Sequence, residues 1–398
     1  MSQNTQHLCE LSFENTEIAF RGKSDSDLNK AYWLFKILSN NFLTRVGKPI
    51  TDFALKVGLP IKGIIRSTIF NHFCGGETIN GCIPAINRLA NQRVGTILDY
   101  SVEGENMENP LDETCEEILR TIAYAKTKPN ISFAVFKPSG VGRFELLEKI
   151  NAKKPLTADE KQEYGRIRKR FERICQACYD NQINVLIDAE HSWIQDVVDD
   201  IAREMMQRFN RETPLVYNTY QLYRHDKLAS LQADYYLAET DGFSLGAKLV
   251  RGAYMEIERE RAQENGYPCP IQPDKEATDR DYDSAIRFCL DHIDRIGLMA
   301  GTHNEISSKL LVDELNHRQL PHDHPHIHFA QLLGMSDNLS FNLAEAGYQV
   351  AKYMPYGPVK AVIPYLFRRA QENTSVAGQT GRELSLIDKE KKRRKTER

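Results

Sequence analysis

The chain has 398 residues, enough for one large domain with an appendage or for two domains. Hydrophobic residues make up 41% and charged residues 27%, the mix of an ordinary globular protein. Its 52 basic and 55 acidic residues leave a formal charge of −3, which excludes a polycation built for nucleic acid and a strongly acidic surface.

The first residues are polar and lack the basic and apolar segments of a secretion signal. No apolar run approaches the roughly 20 residues needed to span a bilayer. A cytoplasmic chain, not integral to a membrane, is expected. Its eight cysteines then read as reduced thiols. Cys175 and Cys178 form one C-x-x-C inside a charged helical stretch, with no second pair at zinc spacing.

Residues 1–90 read as a helical arm, with Leu28, Ala31, Tyr32, Phe35 and Leu38 at helical spacing. The glycines between Phe73 and Gly81 mark a loop. From about residue 93 the rhythm changes. Short β-branched or apolar runs recur at Val94–Tyr100, Ile131–Phe136, Val185–Ile187, Leu215–Tyr220, Ser244–Val250, Gly297–Ala300, Ile327–Leu333 and Gln349–Tyr353. Charged segments long enough for crossover helices separate them, including Ser192–Phe209 and Glu276–Ile296. The runs are mostly continuous rather than alternating, as in strands buried on both faces. Eight such units predict an α/β fold, a closed (β/α)8 barrel. The open doubly wound alternative lacks its glycine-rich turn after the first strand.

A barrel places functional residues at the C-terminal ends of its strands. Polar residues gather at those positions: Lys137; Asp188 and Glu190; Asn218; Lys248 and Arg251; Thr302 and His303. A buried charge without a partner is costly, so Lys137 and Asp188 are expected to face each other or a ligand. After the eighth strand, Tyr365, Arg368, Arg369 and Glu372 share one helix face. Chemistry alone leaves two readings: a solvated face with an Arg368–Glu372 pair, or a guanidinium clamp for a carboxylate.

Six stretches resemble the monofunctional proline dehydrogenase family: Val185 to Glu190, Tyr217 to Gln221, Lys248 to Tyr254, Gly301 to Asn304, Phe329 to Met335 and Tyr365 to Asn373. They occur in the family's order, at the barrel positions assigned above. The resemblance implies a distorted TIM-like barrel with its last helix over the mouth. It implies FAD as cofactor, L-proline as substrate, Δ1-pyrroline-5-carboxylate as product and a membrane quinone as electron acceptor. Carried over by motif, Ala189, Asn218, Lys248, Arg251, Gly252, Ala253, Thr302 and His303 hold the flavin. Lys137, Leu332, Tyr353, Tyr365, Arg368 and Arg369 form the proline pocket, and Lys137, Asp188 and Lys248 are the catalytic candidates. Some members carry arginine first and lysine second in the fifth-strand motif, whereas here Lys248 precedes Arg251. Tyr353 goes with proline preference in the family, which makes a hydroxyproline dehydrogenase the runner-up.

A rival from another class is a metal-dependent barrel hydrolase using His303, Asp188 and Glu190. The alternating His322, His324, His326 and His328 suggest incidental metal affinity, but they lie before or at the very start of the seventh strand and so at the barrel bottom. No residue is assigned to a metal. The expected divisions are the arm over 1–90, the barrel over 91–375 and a basic tail over 376–398, read as disordered and solvated. That tail is also a candidate for peripheral contact with anionic lipid.

Overall fold

The computed structural model describes residues 11–39, 62–101, 107–375 and 379–397. Eight parallel strands close into a barrel in sequence order. They are β1 (Gly95–Tyr100), β2 (Phe133–Phe136), β3 (Asn184–Ile187), β4 (Val216–Gln221), β5 (Leu245–Val250), β6 (Ile296–Gly301), β7 (Ile327–Leu332) and β8 (Val350–Tyr356). All eight expected runs are strands. Closure comes from β1 pairing with β8, from Gly95 opposite Ala351 to Tyr100 opposite Tyr356.

Period-two alternation splits each strand between two cores. Inward-facing Ile97, Phe133, Val135, Leu186, Tyr217 and Met299 fill the barrel. Outward-facing Leu98, Ala134, Phe136, Ile187 and Leu249 join the surrounding helices in the main core. Each fully buried aliphatic or aromatic side chain contributes roughly 1.5–3 kcal/mol, so these layers are the main source of stability. Tyr217 crosses the interior because its neighbours are small. A Cβ on Gly297 would come within 2.3 Å of the Tyr217 hydroxyl, and one on Gly246 within 2.8 Å of its ring.

The crossover helices begin with polar caps where the chain supplies them. Thr157 and Glu160 form a capping box at the start of Ala158–Asn181, and Asp274 and Asn304 cap the helices after β5 and β6. Cys175 and Cys178 lie buried in Ala158–Asn181, and burial pushes both thiols far above their usual range. They pack as small apolar side chains.

The arm forms α1 (Thr16–Phe20) and α2 (Asp25–Leu38). Beyond β7 comes α3 (Asp337–Glu345), beyond β8 comes α4 (Val359–Ser375), and the chain ends in α5 (Gln379–Thr396). Phe20, Leu28, Phe35, Phe73, Val362, Tyr365, Leu366, Leu386 and Ile387 share a second apolar cluster, separate from the barrel cores.

Two expectations change here. The tail is not disordered: residues 379–396 are helical, because Leu386 and Ile387 give α5 an apolar stripe to bury against the arm. Its arginines also have structural partners. Arg394 donates to Asp25 and to the Phe20 and Lys23 carbonyls, and Arg393 and Arg394 both pair with the buried Glu390. The histidine run is not one extended row either, since turns around Pro321 and Pro325 occupy it up to His326. His322 stacks on Tyr348 at 4.2 Å, whereas His328 points into the barrel bottom against Phe133.

Candidate active site

The last inward-facing position of several strands carries a charge or a hydroxyl, and these side chains meet. Asp99 is the penultimate residue of β1 and Lys137 follows β2. Lys137 Nζ donates to both Asp99 oxygens at 2.7 Å. Asp188 follows β3, and its Oδ1 accepts from Lys248 Nζ at 2.7 Å and from the Tyr353 hydroxyl at 3.3 Å. Lys248 also donates to the Tyr353 oxygen at 2.7 Å, with its ammonium 4.5 Å from the ring centre. The expected Lys137–Asp188 pair is present at 3.9 Å, and Asp99, which the sequence did not single out, is the closer partner of Lys137. Asp99 comes late in an apolar strand, as Lys248 does, and the same positional rule applied to β1 would have found it.

This chain of two acids and two lysines is internally neutral and almost fully buried. Such pairs are costly to desolvate and costlier to break, about 3–5 kcal/mol when one partner is removed. Burial and the Asp188 and Asp99 carboxylates push the Tyr353 phenol well above its ordinary range, so it stays protonated.

Above this layer lies a cavity of about 330 Å³. On one side it is lined by Ala189, Arg251, Gly252, Ala253, Thr302 and His303, all named from sequence. Arg251 donates to Asp279 at 2.8 Å, to Thr302 at 2.7 Å and to Ser307 at 2.9 Å, and it lies 4.3 Å over the Tyr282 ring. Lys275 lines the same side and shares Asp279, which leaves one net positive charge there. Gly252 has φ +136°, and a Cβ on it would come 2.4 Å from the Tyr223 ring. The Tyr223 ring and the positive φ together require glycine there.

Asn218 is a correction. Its Nδ2 donates to Asp199 at 3.0 Å among the outer helices, and it does not line the cavity. Period-two alternation on β4 turns Thr219 and Gln221 inward instead. Gln221 Oε1 is buried without a hydrogen-bond partner, the state of a group waiting for a donor.

The opposite side comes from Leu332, Met335, Tyr353 and the last helix, α4. Val359, Val362 and Leu366 anchor α4 in the second apolar cluster. That anchoring leaves Tyr365 and Arg368 on the cavity, with the Arg368 guanidinium 5.7 Å over the Tyr254 ring. Arg368 thus lines the mouth cavity. The side chains of Arg369 and Glu372 lie outside the described residues.

The hydrolase candidates are not brought together. Glu190 accepts from the Ser139 amide and hydroxyl at 2.8 and 2.6 Å and does not line the cavity. His303 is bonded to Ser336, and Asp188 to Lys248. Among the described residues, no helix is long and apolar enough to cross a membrane.

Fold and site together define a (β/α)8 barrel protein with a neutral ion-pair layer beneath a mouth cavity. A family profile described as proline dehydrogenase matches residues 82–382. A Dictyostelium discoideum protein named proline dehydrogenase 1, mitochondrial, is 31% identical, over 98% of this chain and 76% of its own length. A Xenopus laevis hydroxyproline dehydrogenase is 40% identical over 57% of this chain and 49% of its own. Among solved structures, proline utilization A from Bdellovibrio bacteriovorus, inactivated by N-propargylglycine, superposes with a TM-score of 0.73 at 17% identity. That match covers 93% of this chain, which spans 40% of the longer one. The chain belongs to the proline dehydrogenase family.

Proposed function

We propose that the chain oxidises L-proline to Δ1-pyrroline-5-carboxylate, using FAD held in the mouth cavity, with a membrane quinone as the onward acceptor. The observation that carries this reading is the two-sided cavity. Arg251, Gly252, Thr302 and His303 face one wall, and Tyr365 and Arg368 from the last helix face the other.

The cofactor side fits a flavin dinucleotide in three respects. Arg251 and Lys275 outnumber Asp279 there, which suits a diphosphate. Gly252 and Ala253 keep that wall free of bulky side chains, and Gln221 Oε1 needs a donor. Bound FAD supplies a hydride acceptor, chemistry that no side chain offers.

The protein's own residues bind, orient and neutralise. Arg368, joined by Arg369 on the family resemblance, holds the substrate carboxylate. Of the two lining carboxylates, Asp99 gives both oxygens to Lys137, whereas the hydrogen bonds at Asp188 go to Oδ1. Asp188 Oδ2, which has Lys137 Nζ 3.9 Å away and accepts none of these shorter bonds, is the oxygen we assign to meet the substrate ammonium. Tyr353 remains neutral and serves as a fixed wall rather than a base. Fixing the imino acid in one pose is the protein's largest contribution, as the ring loses a hydride and its nitrogen a proton.

Purified protein with bound flavin will be yellow; colourless protein that takes up no FAD would sink this reading. Arg368→Met should raise the proline KM by about 10- to 100-fold, the loss of a charged hydrogen bond of roughly 1.5–3 kcal/mol, with flavin still bound. An unchanged KM removes the clamp. Hydroxyproline is the second reading because the Xenopus relative carries that name. Lys248 and Asp188 pin Tyr353, which leaves the wall little freedom to yield to a ring substituent. Comparing kcat/KM for the two imino acids decides between them.

We assign residues 91–375 as the catalytic unit of a cytoplasmic protein, with the arm and α5 as its support. Peripheral contact with anionic lipid falls in this reading to the exposed Lys392 and Lys395 of α5. Deleting residues 389–398 and finding liposome binding unchanged would reject that contact.

A further inference from the structure

The C-terminal helix α5 reaches two loops of the mouth, those after β6 and β7, through adjacent residues. Arg382 donates to Glu305 at 2.8 Å, two residues beyond His303. Glu383 is buried, and its Oε1 accepts from the Ser336 amide at 2.6 Å. Ser336 Oγ in turn shares a 2.9 Å hydrogen bond with His303 Nδ1, and His303 lines the cavity. One unbroken path therefore runs from α5 to the cavity wall.

Ser336 holds a left-handed backbone, φ 48° and ψ 46°. A residue with a Cβ keeps that conformation only where its surroundings dictate it. The surroundings are specific. Lys352 donates to the Met335 carbonyl, and to Asp337 at 2.9 Å. Lys23 from the arm pairs with Asp337 at 2.6 Å. Glu383 supplies the acceptor for the Ser336 amide itself. The turn is thus clamped on both sides, and its hydroxyl is aimed at the His303 ring.

We infer that Glu383 is a positioning residue for the flavin site: through the Ser336 amide it fixes the turn whose hydroxyl orients the His303 ring at the cavity. The inference rests on the flavin reading of the cavity. It gives α5 a role in the site, whereas the family match ends at residue 382.

Three variants test it: Glu383→Ala, which removes the acceptor; Glu383→Gln, which keeps one without the charge; and Ser336→Gly, which removes the hydroxyl. Glycine adopts the left-handed conformation readily, so the last change spares the fold. The first measurement is the pair of ring-nitrogen chemical shifts of His303, in protein prepared without flavin. The second is the flavin dissociation constant, and the third is Tm. Glu383→Ala and Ser336→Gly should both move the His303 shifts and weaken flavin binding about tenfold, the loss of one hydrogen bond at the site. Glu383→Gln should stay close to the parent. A purely structural seam would lower Tm in Glu383→Ala while leaving its His303 shifts and flavin constant at the parent's values, and that result overturns the inference. If Glu383→Ala fails to fold, a Ser336→Gly protein that binds flavin as the parent does overturns the inference, because the hydroxyl through which Glu383 acts then has no effect on the site. Parent protein that takes up no flavin counts against the cofactor reading, while the His303 shifts still decide this one.

Discussion

Along several strands, two residues separate two very different layers of the barrel interior. Ile97 is followed by Asp99, Val135 by Lys137, Leu186 by Asp188 and Ala351 by Tyr353; in each pair the first packs in the barrel and the second lines the mouth cavity. Deeper still, at the bottom, Phe133 meets Tyr217 and His328 edge-on at 5.5 and 4.8 Å. The lower layers are closed by shape. The top layer is closed by charge, with Asp99, Lys137, Asp188 and Lys248 neutralising one another. Charge is confined to the one level where a ligand can reach it, so stability and chemistry occupy neighbouring but separable positions.

The largest effect should come from breaking the charged layer. Lys137→Met leaves Asp99 buried with Ser101 Oγ as its close side-chain partner. Removing one member of a buried pair costs about 3–5 kcal/mol. Urea unfolding should show a loss of that size, and proline turnover should collapse at temperatures where the variant is folded. A variant of near-parental stability would mean that Asp99 is neutralised some other way.

Phe133→Ala is the counterpart in the lower layer. It should cost a comparable ~3–5 kcal/mol, through the cavity it leaves beside Tyr217 and His328. Here kcat/KM for proline should be nearly unchanged below the unfolding transition, because no mouth residue loses a partner. Turnover falling in step with that of Lys137→Met would show that the layers are not separable.

The same contrast explains what was legible in the sequence. Eight buried strands announce themselves as continuous apolar runs, and a charge late in such a run or just past it is conspicuous, which exposed Lys137, Asp188 and Lys248. Asn218 failed because position alone does not say which face a residue takes; it sits one place out of phase with the inward Thr219. Asp99 passed as part of a strand because its partner Lys137 is 38 residues away in sequence. The helical tail was hidden for a related reason. Its charge dominates the sequence, whereas Leu386 and Ile387 become a stripe only when the arm is there to cover them.

The smallest effect concerns pH, and it sharpens the comparison from below. His328 is buried at the barrel bottom, where burial lowers its pKa from 6.5 to about 4. Its ring also bonds the Pro325 carbonyl, and its Nε2 has no hydrogen-bond partner. Between those two pH values the unfolded chain binds a proton that the folded chain refuses. Stability is therefore lost as pH falls from about 6.5 to 4, by at most about 1.4 kcal/mol per pH unit for this group. His72, also lowered to about 4 by burial, acts in the same direction. Glu383 opposes them: burial and Asp337 raise it from 4.5 to about 7, so it holds its proton longer in the folded chain. In His328→Phe the contributions of His72 and Glu383 remain, and the difference from the parent isolates one proton. The variant should match the parent to within about 1 kcal/mol at pH 7, since an aromatic ring replaces an aromatic ring. It should then gain on the parent steadily as the pH is lowered towards 5. Parallel stability profiles over that range would mean that the bottom of the barrel admits a charge as readily as the mouth does.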